Sequence, residues 1–320
     1  MRMAVYSARE DEEPFFHHFA PEYGMEIVMI PTDPTPETLE AAAGCDCVSI
    51  VTKTHITPPM LDAYKAMGVR FLSTRTVGFE HIDVDYAEKI GMGVGNVGYT
   101  PYSVAEYAVM MMMMAMRHMK TMTVRAMGQD YGLDVIRGRL IHDATVGIVG
   151  TGKIGATVAT ILQGFGCKVL AYDLYQNPAL EGMVEYVSME ELLRQSDIVT
   201  LHAPATADSF HMMNAQTIAM MKKGAVLVNT ARGDLVDSEA LITAIEEEHL
   251  GGAALDLVEG DRLIYYREKK GQQLKNRYMS ILNGLPNVIM TPHMAFFTDH
   301  SVSDMVENSI RSSAEYLQSN

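Results

Sequence analysis

The stretch Val146-Gly-Ile-Val-Gly150-Thr-Gly152-Lys-Ile-Gly155 decides the fold. An apolar strand runs directly into the pattern G-x-G-x-x-G, and Ala156 to Leu162 then reads as a helix. That strand, turn and helix form the context a dinucleotide-binding turn requires. Gly150 permits the tight turn, Gly152 lets the backbone approach a pyrophosphate, and Gly155 lets helix and strand pack closely. The helix N-terminal amides then face the phosphates. The next strand, Lys168 to Tyr172, ends at Asp173, eighteen residues after the third glycine. A carboxylate there accepts bonds from the adenosine ribose hydroxyls and repels a 2′-phosphate, so the expected cofactor is NAD and not NADP.

Working outward, Glu26 to Ile30, Cys47 to Val51 and Val69 to Leu72 are short β-branched segments, each followed by a turn signal or a helix start. The alternation restarts at Thr145 and continues through Ile198–Leu201, Ala225–Asn229, Ala253–Leu255 and Val288–Met290, with Ser238 to Glu248 helical. Two parallel sheets covered by helices satisfy this pattern, which makes the fold class α/β. Pro101 to Met127 opens with Thr-Pro and carries few breakers before Gly128, which predicts one long helix. Its five methionines, Met110 to Met114, are read as packing surface. The last helical stretch, Thr298 to Gln318, is long enough to return to the first domain.

The 320 residues suffice for two domains, and the composition is that of a globular protein. A net charge of −15 argues against nucleic-acid and anionic-membrane partners. Val109 to Met116, the longest apolar run, is far short of the roughly 20 residues of a bilayer crossing. Arg2 and the acidic run Glu10 to Glu13 do not read as a signal peptide. Cys45, Cys47 and Cys167 are too few for a disulfide framework and fit a reducing compartment, so a cytoplasmic location is expected.

Four further strand ends carry polar groups: Leu201-His202-Ala203-Pro204, then Asn229-Thr230-Ala231-Arg232-Gly233, then Asp256, then Thr291-Pro292-His293. The carboxyl edge of an open α/β sheet is where such folds build their sites, and an arginine fork there suits a carboxylate. With Gly-Thr-Gly-Lys-Ile-Gly, Asn-Thr-Ala-Arg-Gly and Thr-Pro-His in hand, the chain resembles the D-isomer-specific 2-hydroxyacid dehydrogenases over nearly its whole length. Ser73-Thr-Arg-Thr-Val-Gly78, Tyr99-Thr-Pro101 and Pro292-His-Met-Ala-Phe296-Phe-Thr298 bring it nearest the D-lactate and vancomycin-resistance D-lactate dehydrogenase branch.

The resemblance implies two flavodoxin-like or Rossmann-like domains, with an NAD domain at 101–296 inserted into a substrate (catalytic) domain made of 1–100 and 297–320. It implies NAD-dependent reversible reduction of a 2-oxo acid to a D-2-hydroxy acid. Arg232 would hold the substrate carboxylate, and His293 would protonate the carbonyl oxygen, becoming the base in reverse. The backbone amides of Val77 and Gly78 would bind the carboxylate as well, with Tyr99 and Phe296 bordering the substrate. Asp256 would hydrogen-bond the nicotinamide amide. Lys153, Ile154, Ala203, Pro204, Thr230, Ala231 and Arg232 would line the cofactor, and Pro101 to Met127 would make a homodimer interface. Alternatives within the same fold are an NAD-sensing scaffold of the C-terminal-binding-protein type and D-3-phosphoglycerate dehydrogenase, the latter wanting extra basic residues for its phosphate.

Two positions depart from the family pattern. The glutamate expected to orient the histidine is Asp261 here, one methylene shorter, with Glu259 as its substitute. Where lactate-type relatives often place a tyrosine, this chain has Val51, followed by Thr52 and Lys53. A smaller wall admits a branched or aromatic 2-oxo acid, unless Tyr99 or Tyr102 fills the gap. Cys45-Asp-Cys47, with both cysteines expected on one strand face, and His17-His18 are read as structural, so no metal is expected. Arg262 to Arg277 is read as a surface excursion, not an anion patch.

Overall fold

In the computed structural model the described residues are 1–51, 54–134, 137–261, 264–266 and 268–319. Thr52 and Lys53, which follow the Val51 position, lie outside them, as do Arg262 and Arg267 of the Arg262–Arg277 stretch. Two compact units are present, Met1–Thr100 with Phe297–Asn320, and Pro101–Phe296.

The first unit begins with β1 (Arg2–Tyr6), α1 (Glu13–Phe19), β2 (Glu26–Ile30), β3 (Cys47–Ile50), α2 (Pro58–Ala66), β4 (Phe71–Thr74), α3 (Val84–Lys89) and β5 (Gly93–Gly95). The second comprises α4 (Tyr102–Met116), α5 (Met119–Met127), β6 (Thr145–Val149), α6 (Lys153–Gln163), β7 (Lys168–Tyr172), β8 (Glu185–Tyr186), α7 (Met189–Gln195), β9 (Ile198–Leu201), α8 (Ala215–Met220), β10 (Val226–Asn229), α9 (Ser238–Glu246), β11 (Gly252–Leu255), α10 (Arg277–Gly284) and β12 (Val288–Met290). The closing helix, α11 (Asp299–Ser319), packs back onto α1 and β4 of the first unit.

The first sheet has the order β2-β1-β3-β4-β5 and is parallel throughout. Successive residues of a strand face opposite sides, and with helices on both faces apolar residues are favoured at both. Ala4 and Tyr6 accordingly join the cluster under α2 and α3, whereas Met3 and Val5 join Phe16 of α1 and Val306 and Ile310 of α11. Cys45 and Cys47 do not share a strand face: β3 starts at Cys47, and the two thiols lie in different clusters on opposite sides of the sheet.

Glu12 and Arg75 are both buried in this unit, 3.1 Å apart. The rest of the guanidinium donates to Ser49 Oγ at 2.9 Å and to the Tyr6 carbonyl at 2.9 Å, with the Phe16 ring beneath it. Burial of two charges is tolerated only when pairing and hydrogen bonds replace lost water, which this arrangement supplies.

The second sheet has seven parallel strands in the order β12-β11-β10-β9-β6-β7-β8. The chain starts in the middle with β6, runs to one edge through β7 and β8, then returns to build the other side from β9 onward. The reversal beside β6 is the switch point at which doubly wound sheets bind ligands.

The single helix expected from Pro101 to Met127 is two helices. It breaks at Arg117–His118, where His118 adopts φ +49°, a left-handed conformation that ends the hydrogen-bond ladder and redirects the chain. A histidine in that conformation leaves no breaker for a sequence pattern to register. Met111 and Met112 are fully buried against α6, and Met110 and Met113 emerge on the opposite side of α4.

Candidate active site

The turn after β6 gives each glycine a separate reason. Gly150 has φ +93°, and a Cβ there would meet the backbone of His202 at 2.7 Å. A Cβ on Gly155 would lie 1.9 Å from the Gly150 carbonyl oxygen. At Gly152, the residue capping α6, a Cβ would meet nothing within 4 Å. The fold itself does not require this second glycine of the pattern, which leaves open space at the start of α6. Asp173 fastens the turn: its carboxylate accepts from the Thr151 N–H at 2.5 Å and from the Thr151 hydroxyl at 3.0 Å. Burial pushes its pKa up, but those bonds and the Tyr175 N–H outweigh burial and hold it below the usual carboxylate range. The Tyr186 hydroxyl and the Asn177 amide grip Thr151 from β8 and the loop before it.

The neighbouring strand ends follow in spatial order. Ala203 and Pro204 leave β9 beside the glycine turn. At the end of β10 the fully buried Asn229 bridges its own turn, its oxygen accepting from Ala231 N at 3.0 Å and its amide donating to the Arg232 carbonyl at 2.7 Å. Gly233 must be glycine, because a Cβ would strike the Val258 carbonyl carbon at 2.4 Å. The Thr230 hydroxyl is buried with no hydrogen-bond partner among the described residues. Together with the open space at Gly152 and the ionised Asp173, that orphaned hydroxyl fits a dinucleotide lying across the carboxyl edge.

Asp256, after β11, is fully buried. One oxygen accepts from the Thr291 hydroxyl at 2.5 Å and from Met294 N at 2.9 Å, and the other from Ala295 N at 2.9 Å. Its carboxylate thus shapes the loop after β12. That loop presents His293 at φ +56°, its N–H bonded to the Asp256 carbonyl at 3.0 Å. The imidazole stands among rings, with centroids at 6.4 Å to Tyr265, 5.3 Å to Tyr266 and 5.9 Å to Phe296. Burial first, and the Arg232 guanidinium second, hold its pKa down to about 4.

In the first unit, the turn after β4 has its carbonyls engaged by neighbouring groups. Thr76 O accepts from Val97 N at 3.1 Å, Val77 O from Asn96 Nδ2 at 2.6 Å, and Gly78 O from the Thr76 hydroxyl at 2.6 Å. The N–H groups of Val77 and Gly78 make no bond to the described residues, which leaves two adjacent donors for an anion. Tyr99 is half-buried beyond β5.

Residues 109–295 match the family described as D-isomer specific 2-hydroxyacid dehydrogenase, NAD binding domain. This chain belongs to the D-isomer-specific 2-hydroxyacid dehydrogenases. The dehydrogenase is 40% identical over 314 residues to a D-specific alpha-keto acid dehydrogenase of Enterococcus faecium, covering 98% of this chain and 96% of the relative. It is 36% identical over 318 residues to an aromatic 2-oxoacid reductase of Clostridium sporogenes, covering 99% and 96%. The crystal structure of a D-lactate dehydrogenase from Treponema pallidum matches with a TM-score of 0.92 at 32% identity, covering 100% of this chain and 98% of that one. The dehydrogenase is an oxidoreductase, and NAD is its cofactor.

Within the dehydrogenase, neither candidate carboxylate hydrogen-bonds the His293 imidazole among the described residues. Asp261 is buried and accepts from Val258 N at 3.0 Å, closing its own turn, as its shorter side chain dictates. Glu259 pairs with His211 Nε2 at 3.0 Å. The stretch from Arg262 to Arg277 is not only a surface excursion, since Tyr265 and Tyr266 pack on His293 and Asn276 caps α10. Sequence reasoning missed these tyrosines because basic residues surround them. It missed Asn229 too, because nothing in Asn-Thr-Ala-Arg-Gly marks the asparagine as the residue that shapes the turn.

Proposed function

We propose that Arg232 and His293 act together on a 2-oxo acid: the guanidinium takes the carboxylate and the imidazole gives its proton to the carbonyl oxygen. The observation that carries this reading is that Arg232 and His293 both follow the carboxyl ends of parallel strands of one sheet, β10 and β12, separated only by β11. NADH, when bound, supplies the hydride that converts the carbonyl carbon to the hydroxylated one. Gly150, Gly152, Lys153, Ile154 and Gly155 would hold its pyrophosphate, Asp173 its ribose, and Ala203, Pro204, Thr230, Ala231 and Asp256 its remaining length. Val77 and Gly78 would donate to the carboxylate, and Tyr99 and Phe296 would border the substrate. Asp261 would supply countercharge once the imidazole is protonated.

The substrate would be pyruvate or a bulkier 2-oxo acid. Val51, small for its place, and the likeness to an aromatic 2-oxoacid reductase support the bulkier end. A homodimer formed through α4 and α5 and a cytoplasmic location complete the reading; the three free cysteines suit the latter, and cell fractionation tests it. Among the described residues no helix is long and apolar enough to cross a membrane.

His293→Ala tests the assignment. It should lower kcat for reduction by about 10²-fold or more, the scale of lost general acid catalysis, while the NADH dissociation constant stays within about twofold. Asp261→Asn should cost less than His293→Ala. Full activity in His293→Ala contradicts the proposal.

A further inference from the structure

Tyr266 is placed where a surface loop would not put a tyrosine. Its backbone is left-handed at φ +60°, a conformation that bulky residues rarely hold without enforcement by their surroundings. Its ring lies against His293 at 5.3 Å, tilted by 36°, and meets Phe296 at 6.2 Å in an edge-on arrangement. The hydroxyl reaches the His293 carbonyl at 3.4 Å, a long bond beside the ring contacts. Tyr265 is buried behind, edge-on to the same imidazole. Yet 43% of Tyr266 stays exposed, and Phe296 is only half-buried. Two rings thus offer uncovered aromatic surface next to the imidazole.

We propose that Tyr266 is a specificity-determining residue, its ring forming with Phe296 an aromatic wall against which the side chain of an aromatic 2-oxo acid packs. This rests on the assignment of His293 as the group that protonates the substrate. With the carbonyl oxygen at the imidazole, a side chain of one ring's length extends into the reach of both walls. Offset or edge-on ring pairs add to the area they bury. A methyl group in the same position gains little from either wall, so the preference separates large from small acids.

The test is kcat/KM with NADH for phenylpyruvate and for pyruvate in the full-length protein and in Tyr266→Ala, Tyr266→Leu and Tyr266→Phe. The ratio of phenylpyruvate to pyruvate should fall by about tenfold in the alanine and leucine variants, the scale of a lost aromatic contact. Phenylalanine should keep it within about twofold. NADH binding, followed by fluorescence, reports that the second unit remains folded. An unchanged ratio in the alanine and leucine variants, including equal loss on both acids, overturns the inference and leaves Tyr266 a structural residue. Inactivity of the unmodified protein toward every 2-oxo acid would instead sink the assignment on which the inference rests.

Discussion

His293 has to carry a proton during reduction, and its surroundings oppose the charge. Burial and Arg232 hold the imidazole near pKa 4, so in the free protein it is neutral at pH 7 and ready to act as the base. A substrate carboxylate bound to Arg232 offsets the guanidinium charge, the lesser of the two causes of the low pKa, and the imidazole then gains some affinity for a proton. The sign follows from linkage: a proton taken up on binding makes binding weaker as pH rises. Oxamate, an isostere of pyruvate, should therefore bind the NADH complex with uptake of up to one proton. Its affinity should fall by up to about tenfold per pH unit from about pH 4 upward, levelling off once the pH passes the pKa of the imidazole in the complex. Calorimetry in buffers of different ionisation heat measures this, and a binding enthalpy that does not vary with the buffer contradicts it. Arg232 and His293 could be singled out in the sequence because each follows a strand within a recognisable signature, and both stand at the carboxyl edge of the second sheet. The low pKa could not be, since it depends on rings contributed by a loop that reads as polar.

At the scale of elements, the glycine turn separates what the fold requires from what the cofactor requires. Gly155→Ala forces a methyl group into the Gly150 carbonyl oxygen and should destabilise the second unit by several kcal/mol, of the order of an overpacked core. Gly152→Ala meets no protein atom, so its melting temperature should stay unchanged while NADH binds at least about tenfold more weakly. Thermal unfolding alongside NADH titration checks both; equal affinity in Gly152→Ala would show that the open space is not used. Most strands were readable from their β-branched runs, and β2, β7, β9 and β12 match the expected bounds. The strands β5 and β8 were missed for a physical reason. Gly-Val-Gly has almost no side chain to pattern, and β8 is a two-residue edge strand. The break at His118 and the buried Glu12–Arg75 pair were equally hidden, because a charge in sequence reads as surface.

At the scale of the whole molecule, the second unit keeps an apolar surface that a monomer would not be expected to expose. Met110, Met113, Met119, Val124 and Met127 emerge from α4 and α5, with Val124 63% and Met127 81% exposed, and Leu133 and Leu140 follow them. These exposed apolar residues along α4, α5 and the chain after them support the homodimer proposed above. Sedimentation should find a dimer that Val124→Glu combined with Met127→Glu converts to monomer; a monomeric unmodified protein contradicts that reading. The parallel α/β layering was legible because buried strands and helix spacing repeat twice along the chain. The last helical stretch, Thr298 to Gln318, was readable as long enough to return to the first domain, and α11 packs on α1 and β4.

The carboxyl edge of the second sheet is expected to turn a 2-oxo acid into the D-hydroxy acid at the expense of NADH. Chiral chromatography of the product from NADH and phenylpyruvate tests it most directly. The D-enantiomer, formed in step with NADH oxidation, is the predicted result. An L-product, a racemate, or NADH that is never oxidised by any 2-oxo acid would contradict the account.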